Sequence, residues 1–253
     1  AAQAAAMTVF SCRKKAAELF DAQPEQVVFT MNATHALNIA IRSVLHEGDR
    51  VVVSGFEHNA VMRPLHALKA EITVAGARLF DQADTIEKFE NAMKTAPKAA
   101  ICTHCSNVFG YILPIEKIAE LCRIYAVPLI IDASQSAGIL PVSLAKTQAS
   151  FIAMPGHKGL YGPQGTGILL CGQTAQPILF GGTGSRSQDM EMPDFLPDRL
   201  EAGTHNVCGI AGLLSGLEFV EKRTVQAIFA HECRLRKLLQ SELSGVRMFT
   251  GED

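Results

Sequence analysis

Seven short β-rich runs, separated by longer stretches with helical spacing, leave this chain few possible architectures. The runs are Val27–Thr30, Arg50–Ser54, Glu71–Ala75, Lys98–Thr103, Pro128–Asp132, Ser150–Ala153 and Thr166–Cys171. Most are continuously apolar, the pattern of strands covered on both faces. Between them, Thr34–Leu45, Ala60–Lys69, Asp84–Lys94 and Pro114–Tyr125 read as helices. In the last, Pro114 suits a first helical position, and Ile115, Ile118, Ala119 and Cys122 share one stripe. This alternation predicts an α/β fold: a mainly parallel seven-stranded sheet with helices on both faces, in three α/β/α layers. Gly, Ser, Asp and Pro dominate Gly181–Gly203, which reads as a long ordered loop. Two helices follow, about Asn206–Glu221 and Val225–Leu243.

Composition removes several function classes. The 253 residues are 48% apolar and 19% charged, enough for a sizeable core and unlike a disordered chain. A net charge of -2 gives no electrostatic footprint for nucleic acid or an anionic membrane. No apolar run approaches the roughly 20 residues that span a bilayer, and Ala1–Phe10 lacks the pattern of a signal peptide. Seven cysteines, an odd number scattered through apolar segments, suggest a reduced cytoplasmic protein.

In doubly wound sheets, ligands bind beyond the carboxyl ends of the strands. Thr34, Glu57-His58, Asn107, Asp132 and Gly156-His157-Lys158 all fall just after expected strands. Lys158 stands in a Gly-His-Lys-Gly loop able to fold closely around a planar ring, as a lysine bonded to a cofactor aldehyde requires. A surface turn is the plainer alternative. Asp132 ends an apolar strand, where a carboxylate suits a protonated pyridine nitrogen; it could equally cap the following turn. Asn32-Ala33-Thr34-His35 spans a strand end and a helix start, a natural phosphate seat, although Thr34 could simply cap the helix. His58 offers a flat imidazole to a ring face, or is an ordinary loop histidine. Cys102-Thr103-His104-Cys105 has no second Cys/His pair at ligand spacing, so no metal is expected. Gly181-Gly182-Thr183-Gly184-Ser185 lacks the Lys-Ser/Thr of a nucleotide P-loop, and no Gly-x-Gly-x-x-Gly turn follows the first strand.

Six segments in order resemble the class V aminotransferase family, most closely its cysteine desulfurase and selenocysteine lyase branch. They are Asn32-Ala33-Thr34, Glu57-His58-Asn59-Ala60, Ser106-Asn107-Val108-x-Gly110, Asp132-x-x-Gln135, Gly156-His157-Lys158-x-x-Tyr161-Gly162-Pro163 and Arg199-x-Glu201-x-Gly203-Thr204. The match runs from about Val27 to Leu217. The resemblance implies pyridoxal 5'-phosphate (PLP) as cofactor, with Lys158 bonded to it, His58 stacked on its ring, Asp132 at the ring nitrogen and Gln135 at the ring hydroxyl. By the same resemblance Thr34 and His157 contact the phosphate, His35 is a further cofactor-binding residue, and Asn107 lies at the cofactor and substrate side of the ring. Thr183 would reach the phosphate of the other subunit, which implies a homodimer with shared sites.

The implied reaction removes sulfur from L-cysteine to leave alanine and an enzyme persulfide, with a sulfur-acceptor protein as a further partner. Another class V PLP enzyme (a selenocysteine lyase or an aminotransferase) or a non-catalytic PLP-fold scaffold are the alternatives. Two departures stand out. Pro155 replaces a serine that often binds phosphate in the family, and none of the seven cysteines matches the mobile catalytic one. The resemblance divides the chain into a PLP-binding large domain, 1–222, without the family's N-terminal segment. The remainder, 223–253, would be a connecting helix and the start of a small domain that carries the catalytic cysteine and the carboxylate-binding arginine.

Overall fold

The computed structural model describes residues 2–186, 188–246 and 249. Seven strands form one sheet: β1 (Val27–Thr30), β2 (Arg50–Ser54), β3 (Glu71–Ala75), β4 (Ala99–Thr103), β5 (Leu129–Asp132), β6 (Phe151–Pro155) and β7 (Gly167–Cys171). Their order across the sheet is β1-β7-β6-β5-β4-β2-β3. β7 alone runs against the others, pairing antiparallel with β1 and β6. The remaining pairs, β2 with β3, β2 with β4, β4 with β5 and β5 with β6, are parallel. The mainly parallel sheet expected from the sequence is therefore present, and its seven strands match the seven runs closely.

The continuously apolar strands feed two cores because successive side chains point to opposite faces. Val52, Ala100, Cys102, Leu129, Ile131, Ile152 and Met154 enter one core; Val51, Val53, Ala99, Ile101, Ile130, Phe151 and Ala153 enter the other. The first face is covered by α1 (Ala2–Leu19), α4 (Gln82–Met93), α5 (Ile115–Ile124) and α7 (Val207–Arg223). The second is covered by α2 (Ala33–Val44) and α3 (Asn59–Ala67). A single turn, α6 (Leu144–Thr147), and the C-terminal α8 (Val225–Glu242) complete the α-helices of the described residues. The expected helix boundaries hold to within two residues.

Two features depart from the sequence reading. α1 was not expected, because its buried stripe is Cys12, Arg13, Ala16 and Ala17, too small and too polar to show as an apolar face. It forms against α7, where small side chains allow close approach. β3 is an edge strand with Glu71, Thr73 and Val74 exposed, so one of the seven runs is not covered on both faces. The last part of 223–253 (Arg247, Met248 and 250–253) and Ser187 of the glycine-rich loop lie outside the described residues.

Candidate active site

Because β1, β2, β4, β5 and β6 share one direction, their carboxyl ends open on the same edge of the sheet. A cleft of about 220 Å³ lies there. Asn32, Ala33 and Thr34 come to it after β1, His58 and Ala60 after β2, and Thr103, Cys105 and Asn107 from the end of β4. β5 contributes Asp132, Ser134 and Gln135; β6 contributes Pro155, His157 and Lys158. Seven of the expected site residues, Thr34, His58, Asn107, Asp132, Gln135, His157 and Lys158, thus meet in one place.

Asp132 is buried at the floor. Ser134 donates both its backbone N–H (2.9 Å) and its hydroxyl (2.5 Å) to Oδ1. Burial lifts the carboxyl above its ordinary pKa, while the Ser134 bonds and then the charges of Lys158 and His58 pull it back. The turn-capping role and a site role are therefore not alternatives: one oxygen closes the turn and the other takes neither bond. His58 is the N-cap of α3, its Nδ1 accepting from the Ala60 N–H at 3.0 Å. That bond assigns the proton of the neutral ring to Nε2.

Lys158 follows β6 in a loop closed by its own backbone. Gly162 N–H donates to the Gly156 carbonyl (2.8 Å), and Tyr161 N–H to the Lys158 carbonyl (2.9 Å). Its Nζ has no hydrogen bond or ion pair among the described residues, so the amine is free in the cleft. The loop is pressed against the turn after Asp132. A Cβ on Gly138, at φ +83°, would stand 2.0 Å from the Gly159 carbonyl oxygen. Backbone meets backbone there, which ties the Asp132 and Lys158 segments together.

The cap of α2 is Asn32, whose Oδ1 accepts from His35 N–H at 2.9 Å. Thr34 is released from that duty, and the N–H groups of Ala33 and Thr34 have no acceptor among the described residues. They face the cleft at the positive end of a twelve-residue helix, a seat for an anion.

Two expected residues lie elsewhere. His35 is outside the cleft: its Nδ1 accepts from the Met31 N–H (3.3 Å), and its buried Nε2 has no partner among the described residues. Thr183 borders a separate cleft of about 690 Å³ between the start of α1 and the 197–207 segment. Arg199 is structural, donating to the Ala175 and Pro193 carbonyls and the Gln176 side chain. Three residues were given no role by sequence reasoning: Ser134, Cys105 and Glu57. Ser134, two positions after a strand-ending Asp, fits an Asx-turn pattern that could have signalled it. Cys105 alone of the seven cysteines lines the cleft, and burial pushes its thiol up to about 11. Among the described residues, no three His, Cys, Asp or Glu side chains are grouped to hold a metal ion.

The family model of class V aminotransferases matches residues 1–251. The chain belongs to the class V aminotransferase family. Class V relatives include a probable cysteine desulfurase of Methanothermobacter thermautotrophicus, 28% identical over 92% of this chain and 61% of its own. A cysteine desulfurase of Synechococcus elongatus is 31% identical over 90% of this chain and 39% of its own. The apo structure of a cysteine desulfurase from Thermococcus onnurineus shares the fold with a TM-score of 0.85 at 28% identity, covering 94% of this chain and 62% of that one. This class V chain therefore spans about three-fifths, or less, of the length of the relatives it matches.

Proposed function

We propose that the cleft holds PLP and that the chain carries the cofactor chemistry of a cysteine desulfurase acting on L-cysteine. The observation that supports this best is convergence: five strand ends bring a free lysine, a buried carboxylate, an imidazole and an anion seat to one 220 Å³ cleft. The residues fit the cofactor. Asp132 keeps an oxygen outside the Ser134 bonds for a protonated ring nitrogen, and such a cation would restore the charge that burial disfavours. Ala33 and Thr34 N–H groups at the start of α2, with the Thr34 hydroxyl and His157, suit the phosphate. Pro155 lines the cleft without a hydroxyl, so the N–H seat carries more of that binding.

When bound, PLP supplies an aldehyde for an amino-acid amine and a ring that draws electrons from the substrate Cα. The chain's own groups do the rest. Lys158 Nζ would hold the cofactor and would move a proton at the substrate carbon. Asp132 would hold a proton at the ring nitrogen, and His58, fixed by the Ala60 N–H, would offer its imidazole to the ring. Asn107 and Gln135 would orient substrate and ring hydroxyl.

Cys105 is the only thiol at the cleft, and at about 11 it is not a thiolate at neutral pH. The residues of this cleft thus provide the carbon chemistry rather than a sulfur-accepting thiolate. The family resemblance assigns Thr183, which lies away from its own chain's cleft, to the phosphate side of a partner's site in a homodimer. Seven free cysteines favour a reducing compartment such as the cytoplasm, and no helix among the described residues is long and apolar enough to cross a membrane.

The test is direct. PLP added to the chain should give a visible absorbance band that borohydride abolishes, with the label mapped to Lys158. A label on another lysine, or none, overturns the reading.

A further inference from the structure

The loop from β2 to α3 carries an acid that the proposed chemistry does not use. Glu57 Oε1 accepts from the Ser54 hydroxyl (2.5 Å) and from the Thr103 N–H (2.7 Å). Ser54 ends β2 and Thr103 ends β4, and the ladder between these strands stops at Val53 and Ile101. Glu57 replaces the missing rung just where the strands part to form the cleft. Its other oxygen, Oε2, is buried and has no partner among the described residues. On one side of this clamp is His58, the next residue; on the other, Thr103 pairs with Asp132 across β4 and β5.

We propose that Glu57 is a positioning residue whose Oε1 clamps the ends of β2 and β4 so that His58 and Asp132 face the cleft at a fixed separation. The groups facing it are the Ser54 hydroxyl from β2, Thr103 N–H and the Cys102 thiol from β4, and Asp132 from β5. None is a cation. Burial, aided by the Asp132 charge, pushes the Glu57 carboxyl up to about 8. Both carboxyls accept two hydrogen bonds, but only Asp132 has the charges of Lys158 and His58 beside it. Those charges favour the ionised form at Asp132, whereas no cation faces Glu57, which supplies shape to the site.

The role as a support for PLP rests on the proposed function, but the clamp itself is read without cofactor. In apo protein, the Thr103 amide proton should resonate at low field, as a short bond to a buried acceptor requires. Glu57→Ala should move it upfield and broaden the His58 ring signals; Glu57→Gln, which keeps the acceptor and the neutral state, should restore both. Ser54→Ala, which removes one donor and leaves the fold intact, should shift the Thr103 amide partway. With PLP, the affinity should fall about tenfold or more in Glu57→Ala and stay within about threefold in Glu57→Gln. A Glu57→Ala chain with unchanged Thr103 and His58 signals overturns the proposal. So does a Glu57 carboxyl carbon that titrates near 4.5 rather than near 8. If wild-type chain takes no PLP, the proposed function falls, and the amide and ring signals still decide the clamp.

Discussion

Arg13 and Glu201, far apart in sequence, form a buried two-pronged ion pair at 2.7 and 2.8 Å. Glu201 also accepts from Phe29 N–H (2.7 Å) and from His205 Nε2 (2.5 Å), while Arg13 reaches the Val27 carbonyl. Although burial opposes ionisation, the bonds from His205 and Arg13 hold the Glu201 carboxyl below its ordinary pKa. One carboxylate thereby joins α1, β1 and the segment entering α7. The guanidinium fork matches the carboxylate geometry in a way an ammonium does not.

Arg13→Ala should therefore be strongly destabilising, by roughly 3–5 kcal/mol, because it strands a buried carboxylate. Arg13→Lys should recover only part of the loss. Urea unfolding of the three chains measures this. A loss below about 1 kcal/mol, the range of an exposed pair, would contradict the structural role.

Asp132→Ala should leave PLP bound more weakly and slow α-proton exchange on a bound amino acid by orders of magnitude. Ser134→Ala should have a smaller effect in the same direction, since one of two donors to Oδ1 remains. Exchange followed by NMR in deuterated water checks both. An unchanged rate in folded Asp132→Ala would leave Asp132 as a turn residue only.

Gly138→Ala forces a Cβ to within 2.0 Å of the Gly159 carbonyl oxygen at a positive φ. Backbone must shift, at a cost on the order of 1–3 kcal/mol or more. The Lys158 loop should move with it, so PLP affinity should fall along with the melting temperature. A melting loss with normal affinity would show that the two segments are not coupled.

Glu57 gives a pH dependence of stability with a definite sign. Its folded carboxyl titrates at about 8, against 4.5 ordinarily. The folded chain binds this proton more tightly, so the contribution is complete below about pH 4.5 and is lost as pH rises to about 8. Glu57→Gln lacks that slope and should gain relative to wild type between about pH 5 and pH 8. Parallel unfolding profiles for the two chains would place the Glu57 pKa in the usual range.

The 253-residue chain should bind PLP yet release little alanine or sulfide from L-cysteine beside a longer cysteine desulfurase. Cys105, its only cleft thiol, is held protonated. Comparable turnover, with a persulfide found on Cys105, would assign that residue the sulfur chemistry.

The strands, most helices and the polar residues at strand ends were legible in the sequence because each rests on local periodicity. Apolar runs mark strands, 3.6-residue spacing marks helices, and the carboxyl-end rule then selects Thr34, His58, Asn107, Asp132 and Lys158. Tertiary structure alone decided the rest. The reversal of β7, and a sheet order that sets β4 between β2 and β5, come from pairings between distant segments. α1 declares itself only against α7, since alanines and an arginine make no apolar stripe until a partner covers them. Ser134 is an ordinary polar residue in sequence, and Glu57 and Glu201, though members of matching motifs, show no role there. What distinguishes them is burial beside a specific donor or acceptor, and burial is a property of the assembled layers, not of the residues themselves.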